Sequence, residues 1–586
     1  MTTPKLRTAL LAALAGLGLA ACSSETPPAG TETTPSQADA PAVAEGTAPP
    51  RGPANGALPP VEGHEFSSQM REEDFAAHVQ TLASDEFEGR APGGRGEELT
   101  INYIREHFER IGLEPGNGDS WYQTVPMVET TAAPDTTIDL VMGEETRTLA
   151  SGSEMVIGTR TGQSTVSVED SELVFVGYGV NAPEQNWNDY EGLDVEGKTV
   201  VIFVNDPGFH IDSDMFEGER MTYYGRWTYK YEEAARQGAA AALIVHDDRG
   251  AGYGWGVVEN SWTGAQFDLP PDVDTAPRLP LQGWISADVA RDLFAHAGLD
   301  LQEQYTAAGT AGFTAVPLDA KLNATVESVS RRGESPNVMG LLRGSEKPDE
   351  VVVYMAHWDH LGRVFGGVGD RIYNGAIDNA TGVAALLEIA AQMKAAEEPP
   401  KRSVLFLMVT LEESGLLGSA YYVADPVVPL EKTVAAINID AMLPVGQTTD
   451  FIVVGKGNSE LEDILEPLAA LQNRTLVPEA AVHAGYYFRS DHFNFAKAGV
   501  PALYAKGGTE HVEHGREHVA AIEEDYRVNR YHKPGDHFDP EWDLSGVMLD
   551  LQALYGVGWE LANSDRWPNW YEGNPFRAAR EEMMAD

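Results

Sequence analysis

In the stretch "SVLFLMVTLEESGLLGS", Ser403 to Ser419, an apolar run ends in two adjacent carboxylates, Glu412 and Glu413. A fully buried strand of a parallel sheet reads as such a run, and two anions at its end are costly unless something cationic waits there. Other strand-like segments end in the same way. "EVVVYMAHWDHLG" runs into His357, Asp359 and His360, "VAAINIDAM" runs into Asp440, and "YNGAIDNATGVAALLE" sets Asp378 just ahead of a helical pattern. Near the end of the chain "VNRYHKPGDHFDP" adds Tyr531, His532 and Asp536 in a loop. Nitrogen and oxygen donors without thiolate suit zinc or a similar divalent ion in a hydrolytic site. One histidine plus carboxylates per ion, with one carboxylate shared, makes a two-metal centre with room for a water between the ions. Taken singly, each residue has a structural account: strand-end histidines hydrogen-bond to their surroundings and acidic residues in such loops cap helices. Their shared placement carries the chemical reading.

The elements that position these residues follow from hydrophobic periodicity. From about residue 335, strand runs alternate with helical runs ("EVVVYMA", "GVAALLEIAAQMKAA", "SVLFLMVTL", "VAAINID", "GVPALYA"), which predicts a doubly wound, mostly parallel α/β sheet with its site at the carboxyl ends of the strands. Upstream, "EELTINYIREHFERIGLEP" places Tyr103, Ile104, Phe108 and Ile111 at helical spacing and stops at Gly112. Between these parts the texture is β-rich: "ELVFVGYGV", "GKTVVIFVNDPG", and "YEEAARQGAAAALIVHDD", a small helix feeding a strand. This reads as an inserted domain. Its segments, with "DYEGLDVEGK", resemble the protease-associated domain of exported peptidases.

The segments "AHWDHLG", "GAIDNATGVAALLE", "LEESGLLGS", "INIDAM", "FRSDHFNFAKAGVPAL" and "YHKPGD" resemble, in order and character, the M28 family of zinc exopeptidases. That family includes secreted bacterial aminopeptidases and glutamate carboxypeptidases. The resemblance implies two divalent ions, taken as zinc: one held by His357 and Asp440, the other by Glu413 and His532, with Asp378 bridging. It implies Glu412 as the general base, with the turn at Gly415 letting both glutamates face one site, Asp359 as the partner that orients the His357 ring, and Tyr531 as a donor to the scissile carbonyl. It also brings the chain around Arg489 close to the substrate, while Asp491 reads as a helix cap. Trp358 and His360 line the pocket or pack. "TEHVEHGREHVAAIEED" carries His511, His514 and His518 and is expected to be a polar loop beside the cleft rather than a third metal site.

The leading expectation is an aminopeptidase acting on peptide N-termini. The alternatives are a carboxypeptidase or dipeptidase for acidic substrates, with Arg489 and Arg516 as candidate carboxylate partners, and a binding protein on a silent peptidase scaffold. Retention of every expected ligand counts against the last, and also against one-zinc glutaminyl cyclisation. The insertion ahead of "AHWDHLG" separates the chain from the M20 peptidases.

The whole chain fits this reading. Its 586 residues, 42% hydrophobic and 22% charged, are ample for two or more cored domains. A formal net charge of -49 argues against binding nucleic acid through a basic face. "MTTPKLRTALLAALAGLGLAAC" has a basic start and a short apolar run, and its "LAAC" resembles a bacterial lipobox. Cys22, the only cysteine, is then the lipidated residue. The expected organisation is a signal peptide over 1–21, a disordered tether over 22–65, the peptidase part over 66–128 and 326–586, and the insertion over 129–325. The expected location is the cell envelope, with Ser23 after the cysteine leaning to the outer membrane facing the periplasm.

Overall fold

The computed structural model describes residues 56–211, 213–364 and 369–585. The predicted signal peptide, Cys22 and most of the predicted tether lie outside these residues. The last part of that tether is not a free linker. Over 56–65 the chain lies against helix α1 (Glu72–Leu82): Val61 N–H donates to Thr81 Oγ1 at 3.2 Å, Gln80 donates to Pro59 O at 2.8 Å, and His64 meets Asp74 at 2.6 Å. Leu58 packs on the main core, and apolar burial offsets the ordering cost that composition alone left uncovered.

Helix α2 (Arg95–Ile111) covers the predicted helical run and ends at Gly112, whose φ of 85° only glycine adopts freely. Strand β1 (Tyr122–Ala132) then pairs antiparallel with the long strand β2 (Val316–Leu342). The C-terminal half of β2 pairs antiparallel with β4 (Arg402–Val409). From there the sheet is parallel: β4 with β3 (Lys347–His357), β3 with β5 (Thr433–Asn438), and β5 with β6 (Ala502–Lys506). The sheet is therefore parallel at its centre and antiparallel toward its edges, and all four central strands present their carboxyl ends on one side.

Val351–Ala356 of β3 and Val404–Val409 of β4 are apolar at every position because both faces are covered there. Val352, Tyr354, Val404 and Phe406 pack with helix α3 (Thr381–Lys394) in one core, whereas Val351, Val353, Leu405 and Leu407 pack with Phe493 and Phe495 in another. Two cores on opposite faces are the physical content of a doubly wound sheet.

The segment between β1 and β2 builds a second sheet with its own two cores. Strands Thr165–Phe175, Thr199–Phe203, Ala241–Val245 and Leu281–Ile285 are parallel at its centre, and the N-terminal half of β2 pairs along its edge. Both expected boundaries of the insertion, after 128 and 325, fall inside strands, β1 and β2. In addition, Ala265–Asp268 of the insertion pairs back onto β1. The two sheets are thus tied by continuous backbone ladders rather than by linkers.

Candidate metal centre and active site

Each parallel strand delivers acid or imidazole at its end. His357 is the last residue of β3, and Asp440 lies just past β5. Asp378 lies on the single turn Ala376–Ala380 that precedes α3, and its peptide bond to Asn379 is cis. The turn carrying both glutamates begins earlier than Gly415. β4 ends at Val409, Leu411 is left-handed (φ 56°), and the N–H groups of Gly415 and Leu416 both donate to Glu412 O at 2.9 Å. Glu412 and Glu413 therefore sit in the turn itself, free of strand alternation.

The side chains converge. Asp378 Oδ1 lies 3.3 Å from His357 Nε2, and its Oδ2 lies 3.3 Å from His532 Nε2. Asp440 approaches His357 Nε2 at 3.4 Å and Glu413 approaches His532 Nε2 at 3.1 Å. Two histidine-carboxylate groups thus share the Asp378 carboxylate between them. Glu412 adjoins the first group: one ligand atom each of His357, Glu412 and Asp440 lie within 4.8 Å of one another.

Whether this set fits a divalent ion can be judged from His357 Nε2, which is buried, faces carboxylates and has no hydrogen bond. An all-nitrogen-and-oxygen donor set around such an atom fits zinc. The titration behaviour points the same way. Burial alone would lower the His357 imidazole, but Glu412, Asp378 and Asp440 outweigh it and raise the group well above its usual value. His532 is raised to about 10 because Glu413 and Asp378 outweigh its burial. Against their own burial, His357 and His532 hold Asp378 well below the carboxylate range, and His532 helps bring Glu413 to about 2. The cluster is a field that demands cations. Burial pushes Glu412 well above its usual value; His357 opposes this, while Glu413 and Asp440 add to it.

A shell of buried groups fixes these ligands, most of it supplied by residues not singled out from the sequence. The carboxylate of Asp536 accepts the N–H groups of Ile377 and Asp378, each at 3.1 Å, and so clamps the bridging residue. Arg90, fully buried, donates to Trp358 O (2.9 Å), Asn374 O (2.6 Å) and Gly375 O (2.8 Å), joining the loops that carry His357 and Asp378. The Asn379 amide bridges to the Asp440 loop through Ile439 O at 3.0 Å and Ala441 N–H at 3.2 Å. Lys506 donates to Asp440 O at 3.1 Å. His360, read as pocket lining or packing, has Nδ1 2.5 Å from Glu413 Oε1 and so orients a ligand. Of these, only Asp536 and His360 had a sequence signal, each lying within two to four residues of a predicted ligand.

Asp359 departs from the expectation. Its carboxylate is 3.8 Å from His357 Nδ1, too far for a hydrogen bond, and it instead accepts the Glu412 N–H at 3.2 Å. The His357 ring meets the Asp359 backbone carbonyl at 3.1 Å. Asp359 thus steadies the turn of Glu412, and its main chain orients the imidazole. Tyr531 stacks on His532 with ring centroids 4.0 Å apart. The Arg489 side chain donates to Ala251 O at 3.0 Å and to Ala484 O, tying the peptidase part to the insertion. Asp491 accepts the Ser419 hydroxyl at 2.6 Å and makes no side-chain cap. Trp358 is buried in the core and donates to Pro336 O.

The segment of His511, His514 and His518 is not a loop throughout: helix Gly515–Asp525 carries His518. The three rings lie 4.7 to 5.0 Å apart, but His511 Nδ1 already accepts the N–H groups of Glu513 and His514. Arg516 is exposed and pairs with Glu510.

Residues 337–555 match the profile of peptidase family M28, and this segment contains every ligand named above. The mouse aminopeptidase NAALADL1 is 32% identical over 129 residues, which are 21% of this chain and 16% of the mouse protein. A probable glutamate carboxypeptidase of Arabidopsis thaliana, AMP1, is 24% identical over 370 residues, 58% of this chain and 47% of that protein. The chain thus spans less than half the length of either relative. In fold, it is similar to an aminopeptidase from Aneurinibacillus sp. strain AM-1, with a TM-score of 0.51 at 20% identity, over 85% of this chain and 96% of that one.

Proposed function

We propose that the M28 segment makes this protein a dinuclear zinc exopeptidase, and that it acts as an aminopeptidase on peptide N-termini. The observation that carries the reading is the Asp378 carboxylate, which lies 3.3 Å from both His357 and His532 with Asp440 and Glu413 completing the two groups. His357 and Asp440 would hold one ion and His532 and Glu413 the other, with the Asp378 carboxylate available to both. When bound, such ions polarise a peptide carbonyl and acidify water.

The chain's own residues do the rest. The Glu412 carboxylate takes a proton from the attacking water as the water oxygen bonds to the carbonyl carbon. As the C–N bond breaks, Glu412 returns that proton to the leaving nitrogen. A carboxyl raised by burial is suited to both steps, because it holds the proton in transit without surrendering it to solvent. Tyr531, stacked on His532 and neutral because burial and Asp378 push its phenol up, donates to the carbonyl oxygen as charge develops on it. The insertion, named protease-associated by its resemblance, rests on the 482–484 turn of the peptidase part: Met221 N–H donates to Val482 O at 3.1 Å and Asn205 to His483 O at 3.2 Å.

The N-terminal sequence supports export and an anchor on Cys22, with the catalytic part facing the periplasm from the outer membrane. Labelled palmitate incorporated by the parent and lost in Cys22→Ser checks the anchor.

The test is cleavage of matched peptides with free and acetylated N-termini by metal-loaded protein, with Glu412→Gln as the control for contaminating peptidase. Cutting only at the free amine, and only by the parent, is expected. Removal of residues from the carboxyl end of blocked peptides overturns the aminopeptidase reading in favour of a carboxypeptidase. Loss of fewer than two metal ions on dialysis against chelator overturns the dinuclear one.

A further inference from the structure

Glu412 and Glu413 sit in a turn whose neck is formed by Thr410 and Gly418: Gly418 N–H donates to Thr410 O and Leu417 N–H to Leu411 O, each at 3.0 Å. Within the turn Leu411 and Leu416 are left-handed, at φ 56° and 63°, a conformation unfavourable for leucine, so the turn persists only where its surroundings hold it. One side chain does this from outside. Asn337, buried in β2, spans the neck: its Oδ1 accepts the Thr410 N–H at 3.1 Å and its Nδ2 donates to Gly418 O at 2.9 Å. The approach is so close that a Cβ on residue 418 would lie 2.2 Å from Thr410 O and 2.6 Å from Asn337 Oδ1. The β2–β4 ladder stops just short of this point, at the Val338–Met408 pair, so the Asn337 amide stands in for the backbone rungs that would follow.

Asn337 is itself held. Its Nδ2 also donates to Gln123 Oε1 at 3.0 Å, on the β1 residue paired with it, and Gln123 donates to Asp425 O at 2.7 Å, just past helix Leu417–Ala424. Its neighbours in β2 serve the same loops. The Ser335 hydroxyl donates to Glu97 at 2.6 Å and meets Thr410 Oγ1 at 2.5 Å, and Pro336 O accepts the indole N–H of Trp358, the residue after His357, at 3.0 Å. Ser335, Asn337 and Thr410 are all fully buried, where polar groups are costly unless paired. Sheet packing alone would be served by an apolar side chain; an amide spent on both ends of one turn fixes the geometry of that turn.

We propose that Asn337 is a positioning residue for catalysis: its amide closes the neck of the 410–418 turn and so aims the Glu412 carboxylate at the attacking water and the Glu413 carboxylate at its ion. The inference rests on the dinuclear exopeptidase reading and adds to it a group that touches neither substrate nor metal. The coupling is mechanical. Both glutamates lie between Thr410 and Gly418, so a neck free to open displaces the two carboxylates together. His357, Asp378 and Asp440 are carried by other elements and keep their places.

Two arms test it on the full metal-loaded protein. In the kinetic arm, Asn337→Leu nearly keeps the side-chain volume but neither accepts nor donates; it should lower kcat by about tenfold to a hundredfold and leave KM within about threefold, the pattern for losing a group that orients a catalytic one. Asn337→Asp should be rescued by acid. Its protonated carboxyl offers an oxygen to Thr410 N–H and a hydroxyl to Gly418 O as the amide does, whereas the ionised form sets a second acceptor against Gly418 O. At saturating metal its kcat relative to the parent's should therefore fall about tenfold as pH rises from about 5 to about 8. Parental kcat in Asn337→Leu, or a ratio in Asn337→Asp that ignores pH, overturns the proposal. The metal arm needs no turnover, so it still decides if no peptide is cut and the exopeptidase reading has failed. Zinc-loaded parent, Asn337→Leu, Glu413→Gln and Asp440→Asn are titrated with a chromophoric chelator. Asn337→Leu should weaken by about tenfold the step that Glu413→Gln removes and leave within about threefold the step that Asp440→Asn removes. Weakening of both steps alike, or of neither, overturns the proposal. A single step in the parent is a failure of the dinuclear reading and not of the clasp, which kcat then decides. A lowered melting temperature with parental kcat and parental chelator steps makes Asn337 a residue of the fold alone.

Discussion

The clamp on Asp378 yields a prediction whose size follows from geometry. Both oxygens of Asp536 lie 3.1 Å from Ile377 N, and Oδ2 also lies 3.1 Å from Asp378 N. Asp536→Asn keeps one acceptor oxygen but sets an NH2 group against a donor and removes the charge. Hydrogen bonds to charged groups contribute about 1.5–3 kcal/mol and neutral ones about 1 kcal/mol, so the hold on the loop weakens by about 1–3 kcal/mol. Spent on ligand geometry, this is a loss of about tenfold to a hundredfold in metal affinity, the usual scale for groups that orient ligands. Asp536→Ala goes further, leaving two buried N–H groups without an acceptor at about 1–3 kcal/mol each. The assay is competition with a chromophoric chelator, with melting followed by circular dichroism on the same samples. The expected order of metal affinity is parent, Asn, Ala. Parental affinity in both variants refutes the clamp. Parental affinity with a lowered melting temperature shows that Asp536 serves the fold alone.

Glu412→Gln should lower kcat by at least about a hundredfold while bound metal, measured by elemental analysis, stays at the parental level. Gly375→Ala should abolish metal binding, because residue 375 has a φ of 57° and an added Cβ would lie 2.2 Å from Asp378 O and 2.6 Å from the His360 ring; a metal-replete Ala variant contradicts this. Glu388, buried beside His78 at 3.7 Å, is pushed up to about 8 by burial from an ordinary 4.5. The folded chain then keeps its proton up to about pH 8, whereas the unfolded chain releases it near 4.5, so stability from this group falls as pH rises across that window. Glu388→Gln should therefore flatten the decline in urea-unfolding free energy between pH 5 and 8, and an unchanged slope counts against the buried neutral acid.

Much of this protein is local in its logic and legible in one dimension. A strand segment apolar at every position must be covered on both faces, so Val351–Ala356 of β3 and Val404–Val409 of β4 announce a doubly wound sheet, and a sheet of that kind gathers its strand ends at one edge. His357, Asp378, Glu412, Glu413, Asp440 and His532 are therefore readable from type and place alone. What a residue does once it arrives there depends on contacts between distant parts of the chain, and these leave no periodic trace. Asp359 follows the motif in spacing, yet its carboxylate turns to the Glu412 N–H because the turn after β4 begins at the left-handed Leu411. Asp536 reaches Asp378 across 158 residues and Arg90 reaches Gly375 across 285. The packing of 56–65 on α1 depended in the same way on a surface that composition does not describe. Pattern and propensity fix which groups lie at the sheet edge, while the desolvation and charge pairing that give those groups their roles are set by tertiary packing.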